Sequence, residues 1–204
     1  MRKLILFFGL LTLGTISLTA QNQEPNLEET ILMYVDGDML QVIDRDHLVL
    51  EESVILEDCT VLNSDGSFQA MDGGQSRLKD GECMDMYGIK YRNEYQYRYK
   101  VKKENKDLTG TQLDSRYEKK YHFIKIGSKV YQITDVSQKR LRKDITIGNG
   151  IVLDPYGTYQ EPGQERVRLR DGECLNMGGV KFDNSYDQRK LMAKKIKKTN
   201  AAVQ

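Results

Sequence analysis

The stretch Arg77–Tyr91, RLKDGECMDMYGIKY, recurs as Arg168–Phe182, RLRDGECLNMGGVKF. A shift of 91 residues aligns 33–98 with 124–189 without a gap and gives 19 identities in 66 positions. Among these are Gln41/Gln132, Asp44/Asp135, Val61/Val152, Gly66/Gly157, Asp80/Asp171, Glu82/Glu173, Cys83/Cys174 and Met86/Met177. Two copies fall short of the ~3 units a solenoid needs. The duplication instead predicts a pair of small homologous domains. Units this small sit near the lower limit of autonomous stability, so they are expected to pack on each other or to need a staple.

Within each copy the pattern is one of short strands and tight turns. Ile31–Val35 and Met39–Ile43 flank Asp36-Gly37, and Asp-Gly between apolar runs favours a type I′ hairpin, in which both central residues take positive φ. Gly127-Ser128 at the matching place suits the mirror turn with Gly first. Leu48–Leu50, Val54–Leu56 and Thr60–Leu62 read as further strands. The pairs Asn63-Ser64-Asp65-Gly66 and Asp154-Pro155-Tyr156-Gly157 carry type I turn chemistry, with Asx first and Gly last. Lys79-Asp80-Gly81 turns into a strand in which alternation puts Met84 and Met86 on one face, opposite Cys83 and Asp85. The fold class expected is all-β: two tandem hairpin-rich domains over 33–98 and 124–189. They are joined by a basic linker over 99–123, mobile around Asn105–Thr111, and followed by a basic, partly helical tail over 190–204.

The chain opens with Arg2 and Lys3, an apolar run Leu4–Leu13 and a small-residue site Leu18-Thr19-Ala20. This predicts an export signal over 1–20, followed by an acidic lead-in over 21–32 and a periplasmic or secreted mature protein. The apolar run is shorter than the ~20 residues a spanning helix needs, and no other segment reads as a membrane span. Charge divides unevenly: Gln21–Tyr91 holds 4 basic and 16 acidic residues, Arg92–Gln204 holds 25 and 14. Halves of opposite sign attract, which argues for docking between the repeats or head-to-tail self-association. Export and a mature charge near neutrality exclude nucleic acid as a partner.

Three cysteines, Cys59, Cys83 and Cys174, leave one over in any pairing. Cys83–Cys174 and Cys59–Cys83 bridges both stay open, as do free thiols. Cys83, Met84, Met86, Cys174 and Met177 are soft candidates for Cu(I), although alternation separates Cys83 from the methionines and no His lies nearby. The run Tyr91–Lys103 interleaves tyrosines with Arg and Lys. It can grip an anionic or glycan envelope component, or form an edge strand whose charges guard against aggregation. No nucleophile elbow, zinc-binding helix motif or phosphate loop is present, and neither His47 nor His122 has a nucleophile context. No catalytic residue and no cofactor site is therefore expected.

The motifs DGECMDMYG at Asp80–Gly88 and DGECLNMGG at Asp171–Gly179 resemble a bacterial family of small exported domains of unknown function, built from short Asp-Gly hairpins. The resemblance covers both copies. It implies a non-enzymatic exported protein and transfers no functional residues. The leading expectation is an envelope or secreted interaction or structural module; the alternative is copper handling through the Cys and Met positions of the duplicated motif.

Overall fold

The computed structural model describes residues 30–117 and 120–202, so the expected export signal and most of the acidic lead-in lie outside the described residues. The first copy contributes β1 (Thr30–Val35), β2 (Asp38–Val49), β3 (Val54–Ile55), β4 (Val61–Leu62), β5 (Ser67–Gln69), β6 (Gln75–Arg77), β7 (Cys83–Asp85) and β8 (Lys90–Tyr91). Helices α1 (Glu94–Glu104) and α2 (Gly110–Tyr117) follow. Then come β9 (Tyr121–Ile126), β10 (Lys129–Arg140), β11 (Ile145–Ile147), β12 (Ile151–Leu153), β13 (Thr158–Gln160), β14 (Arg166–Arg168), β15 (Cys174–Asn176), β16 (Lys181–Phe182) and α3 (Ser185–Ala202). The chain is mostly β-sheet, as the strand periodicity implies.

The strands form one eight-stranded sheet and two four-stranded meanders, β3–β6 and β11–β14. The large sheet runs β16-β15-β1-β2-β10-β9-β7-β8. Exchange each strand for its counterpart 91 residues away and the order reads the same backwards, so a pseudo-twofold axis passes between β2 and β10. The antiparallel register across that seam pairs Asp44 with its own counterpart, Asp135. The expectation of two strands over 39–50 gives way to a single long β2, because this strand must first pair with β1 and then reach along β10.

Three layers result. The helices cover one face of the large sheet, over Ile31, Met33, Val35, Leu40 and Val42 near one end and Cys83, Ile124, Ile126 and Ile133 near the other. Each meander covers the opposite face. Leu56, Leu62 and Leu78 of the first meander pack on Met84, Phe123 and Val130. Ile147, Ile151, Leu153, Tyr159 and Leu169 of the second pack on Leu32, Tyr34, Met39 and Leu175. Strand alternation thus sends Met84 toward a meander and Cys83 toward the helices, as the sequence pattern implies, and both faces of β7 are buried.

The stretch expected as linker or edge strand is helical. Asn93 caps α1, its side chain accepting from Gln96 N at 3.1 Å. Glu94 in the first turn and Lys102 and Lys103 in the last suit the helix dipole. The C-terminal helix starts at Ser185 and runs to Ala202, longer than expected. At the first hairpin, Asp36 and Gly37 take φ of 48° and 83°, the type I′ pair.

Candidate functional site

The duplicated motif is a docking latch between the two copies. Asp171 Oδ1 accepts the backbone N–H of Asp36 at 2.8 Å, and Asp80 Oδ1 accepts that of Gly127 at 2.7 Å, so each motif holds the hairpin turn of the other copy. Around those contacts Tyr34 N donates to Glu173 O and Gly172 N to Tyr34 O, mirrored by Lys125 N to Glu82 O and Gly81 N to Lys125 O. The motif Gly carries φ of 83° at Gly81 and 87° at Gly172, where a side chain is strained. The Glu folds the motif on itself: Glu82 accepts from Lys79 N and Glu173 from Arg170 N, both at 2.8 Å. Each also pairs with a lysine, Lys90 or Lys181. Tyr186 of α3 donates to Asp80 Oδ2 at 2.6 Å; burial, and then this bond to the carboxylate, push that phenol up to about 12.

Between the latches, under the helices, lies a buried ionic cluster. Arg98 of α1 and Arg189 of α3 are counterparts, both almost fully buried. Arg98 Nη2 reaches Asp44 Oδ1 at 3.1 Å, and Arg189 Nη2 reaches Asp44 Oδ2 at 2.7 Å. Glu94 bridges the two guanidiniums, accepting from Arg98 Nε at 3.0 Å and from Arg189 Nε at 2.6 Å. On the other side of the axis, Arg98 Nη1 and His122 Nδ1 lie 2.9 and 3.2 Å from Asp135 Oδ1 without hydrogen-bond alignment. The Tyr97 hydroxyl donates to Asp135 Oδ2, and the Tyr97 ring stacks on His122 at 4.5 Å.

The cluster's electrostatics follow from dense packing of opposite charges. Burial pushes the Glu94 and Asp135 carboxyls up, but the adjacent guanidiniums override it and hold both below the usual carboxylate range. The guanidiniums are in turn held charged by these carboxylates against their own burial. His47, which meets Arg189 Nη1 at 3.3 Å, is driven down to about 4 by burial and by that cation. Burial and Asp135 push Tyr97 well up, so it stays a donor. The carboxylates and guanidiniums hold one another, while Arg98 Nη1, both ring nitrogens of His122 and Asp135 Oδ1 make no hydrogen bond. Such an arrangement fixes register, since removing one member leaves an uncompensated buried charge at about 3–5 kcal/mol.

The candidate thiols are not brought together. Cys83 on β7 and Cys174 on β15 stand five strand steps apart, roughly 24 Å at ~4.8 Å per step. A disulfide tolerates about 7 Å between Cα atoms. Cys59 is exposed in the turn between β3 and β4 while Cys83 is buried on the helix side of β7, and all three are free thiols. Burial pushes the Cys83 thiol well up and the Cys174 thiol up to about 12. Met84 points to the opposite face from Cys83, Met177 packs at the second meander, and half-buried Met86 ties its backbone carbonyl to Glu57 N. Among the described residues no group of three or more His, Cys, Asp or Glu is placed to hold a metal.

Tyr91–Lys103 is turned partly inward, with Arg92, Gln96 and Lys103 left exposed. Tyr91 and Tyr97 are buried, Tyr95 and Tyr99 pack over the β1–β2 hairpin, and Lys100 and Lys102 pair with Asp85 and Asp38. A shallow recess of about 190 Å³, including its open mouth, lies beside the cluster against His47, Tyr131, Ile133, Arg189 and Ala193. Among the described residues no helix is long and apolar enough to cross a membrane. Sequence reasoning missed the cluster. The signal was there in Asp44/Asp135 and in the Arg98/Arg189 pair, polar residues kept identical in both copies. Searches against curated proteins and against solved structures return no match. Residues 29–89, from β1 to the turn before β8, match a family described as a domain of unknown function (DUF6799).

Proposed function

We propose that the chain is an exported, non-enzymatic interaction or structural module of the envelope or extracellular space, descended by duplication from one hairpin-rich unit. The observation that carries this reading is where the chemically capable side chains sit. Both arginines, their three carboxylates, His122 and Tyr97 are buried against one another, and the Cys83 and Cys174 thiols are buried with raised pKa values. A catalytic centre needs such groups aimed at a substrate-sized cavity. Here they face each other. Export rests on the Arg2-Lys3 start, the Leu4–Leu13 run and the Leu18-Thr19-Ala20 site.

The test has two arms. Mass measurement of the protein recovered from the exporting cell should place its first residue at Gln21; a retained leader removes the exported reading. The purified protein is then passed over peptidoglycan and heparin matrices and titrated with Cu(I). Retention that weakens as salt rises marks a charge-driven contact. Stoichiometric Cu(I) uptake that disappears in a Cys83→Ser/Cys174→Ser variant replaces this reading with copper handling.

A further inference from the structure

We infer that neither copy is a domain: the repeat unit is one half of a twofold assembly, and the partner its surface fits is a second copy of itself. In this chain that second copy is supplied in cis.

Strand exchange is the first observation. β1 pairs with β15 of the other copy, with Met33 opposite Cys174 and Leu32 opposite Leu175. β9 pairs with β7 in the matching register, with Ile124 opposite Cys83 and Phe123 opposite Met84. Within a copy, the hairpin β1–β2 and the pair β7–β8 share no ladder. Each meander core is likewise completed from outside: the first by Phe123 and Val130, the second by Leu32, Tyr34 and Met39. A copy taken alone exposes a meander core, three strand edges (those of β1, β2 and β7 in the first copy) and its share of the ionic cluster.

The second observation is independent of the pairing and concerns which residues the copies kept identical. Asp80/Asp171 accept from the other copy's hairpin turn, and Gly81/Gly172 lie under Tyr186 and Tyr95 of the other copy, themselves an identical pair. Asp44/Asp135 face each other on the axis, and Arg98/Arg189 bind there. These identities line the seam. A tandem pair of self-sufficient domains has no reason to keep identical residues there, whereas a unit that evolved against its own copy does. The matched stretch 29–89 holds the hairpin, the meander and the latch, so it includes both surfaces that need the second copy.

The test uses the full chain with a protease site inserted between Lys106 and Asp107, in the exposed connection between α1 and α2. After cleavage the two pieces are sized without denaturant over a range of concentrations while circular dichroism follows their folding. The expected result is one particle of full native size, whose pieces separate only as they lose structure. The Asp80→Ala/Asp171→Ala variant, which removes both latches, should shift that separation to at least about tenfold higher concentration. Two pieces that run as separate, folded monomers overturn the inference, as does a latch variant that separates at the same concentration as the parent.

Discussion

Helices α1 and α3 occupy equivalent places on either side of the pseudo-twofold axis, yet they meet the ionic cluster differently. Both carry the arginine: Arg98 reaches both axial aspartates, Arg189 only Asp44. Only α1 carries the bridging carboxylate: Glu94 stands where α3 has Ser185, buried at 3 % exposure. Tyr97, donor to Asp135, stands where α3 has Gln188, which instead accepts from the Cys174 thiol at 3.6 Å. The difference teaches what an axis can and cannot share. An Asp from each copy can meet the same Arg there. A carboxylate wedged between two guanidiniums near the axis can be present once, because its twin would crowd another negative charge into the same volume.

Breaking that asymmetry should give the largest effect. Glu94→Ala leaves both guanidiniums short of an acceptor and is expected to cost about 3–5 kcal/mol in urea unfolding. Ser185→Ala, the same change at the equivalent place, should cost under about 1 kcal/mol. Equal losses at the two positions would mean that Glu94 is no bridge.

An intermediate effect separates His47 from its counterpart Gln138. The folded pKa of His47 is depressed to about 4 from an ordinary 6.5. Between those values the unfolded chain takes up a proton that the folded chain refuses. Stability is therefore fully present above about pH 6.5 and declines as the pH falls toward 4. Partial solvent contact reduces the loss to on the order of 2 kcal/mol. Denaturation midpoints measured across this window should flatten in His47→Gln. Below pH 4, protonation of Glu94 and Asp135, whose folded pKa values are also depressed, should continue the decline in both proteins.

The smallest effect compares two turns. Cys59 holds φ of 67° where the second copy has Gly150 at 70°. A side chain in that region costs about 1–2 kcal/mol, part of which Gly returns through the freedom it gives the unfolded chain. Cys59→Gly should thus raise stability by up to about 1 kcal/mol, read as a higher thermal midpoint. A lower midpoint would show that the thiol contributes packing.

Much of the fold was legible because β-structure writes itself locally. Asp36-Gly37 and the Asn63–Gly66 turn each dictate a backbone shape from the residues inside them, and Cys83–Asp85 announces its two faces by alternation. Helix α1 was not legible, because its buried face is Glu94 and Arg98 alongside Tyr97 and Val101. A search for an apolar stripe passes over it, and the tyrosines at 95, 97 and 99 imitate a strand. The exchange of hairpins is hidden for a different reason. The repeated motif offers β1 two partners of similar chemistry, β7 and β15, and local pattern cannot rank them. The cluster followed the same logic: Asp44 and Asp135 look like ordinary strand-surface carboxylates until helices close over them.

The large sheet ends at β8 and β16, each two residues long and each bearing a lysine, Lys90 and Lys181. A ladder that stops after two residues offers an incoming chain little to pair with. The seam, where long strands exchange partners, is thus an open template for pairing, and the rim, with two-residue strands, is a poor one.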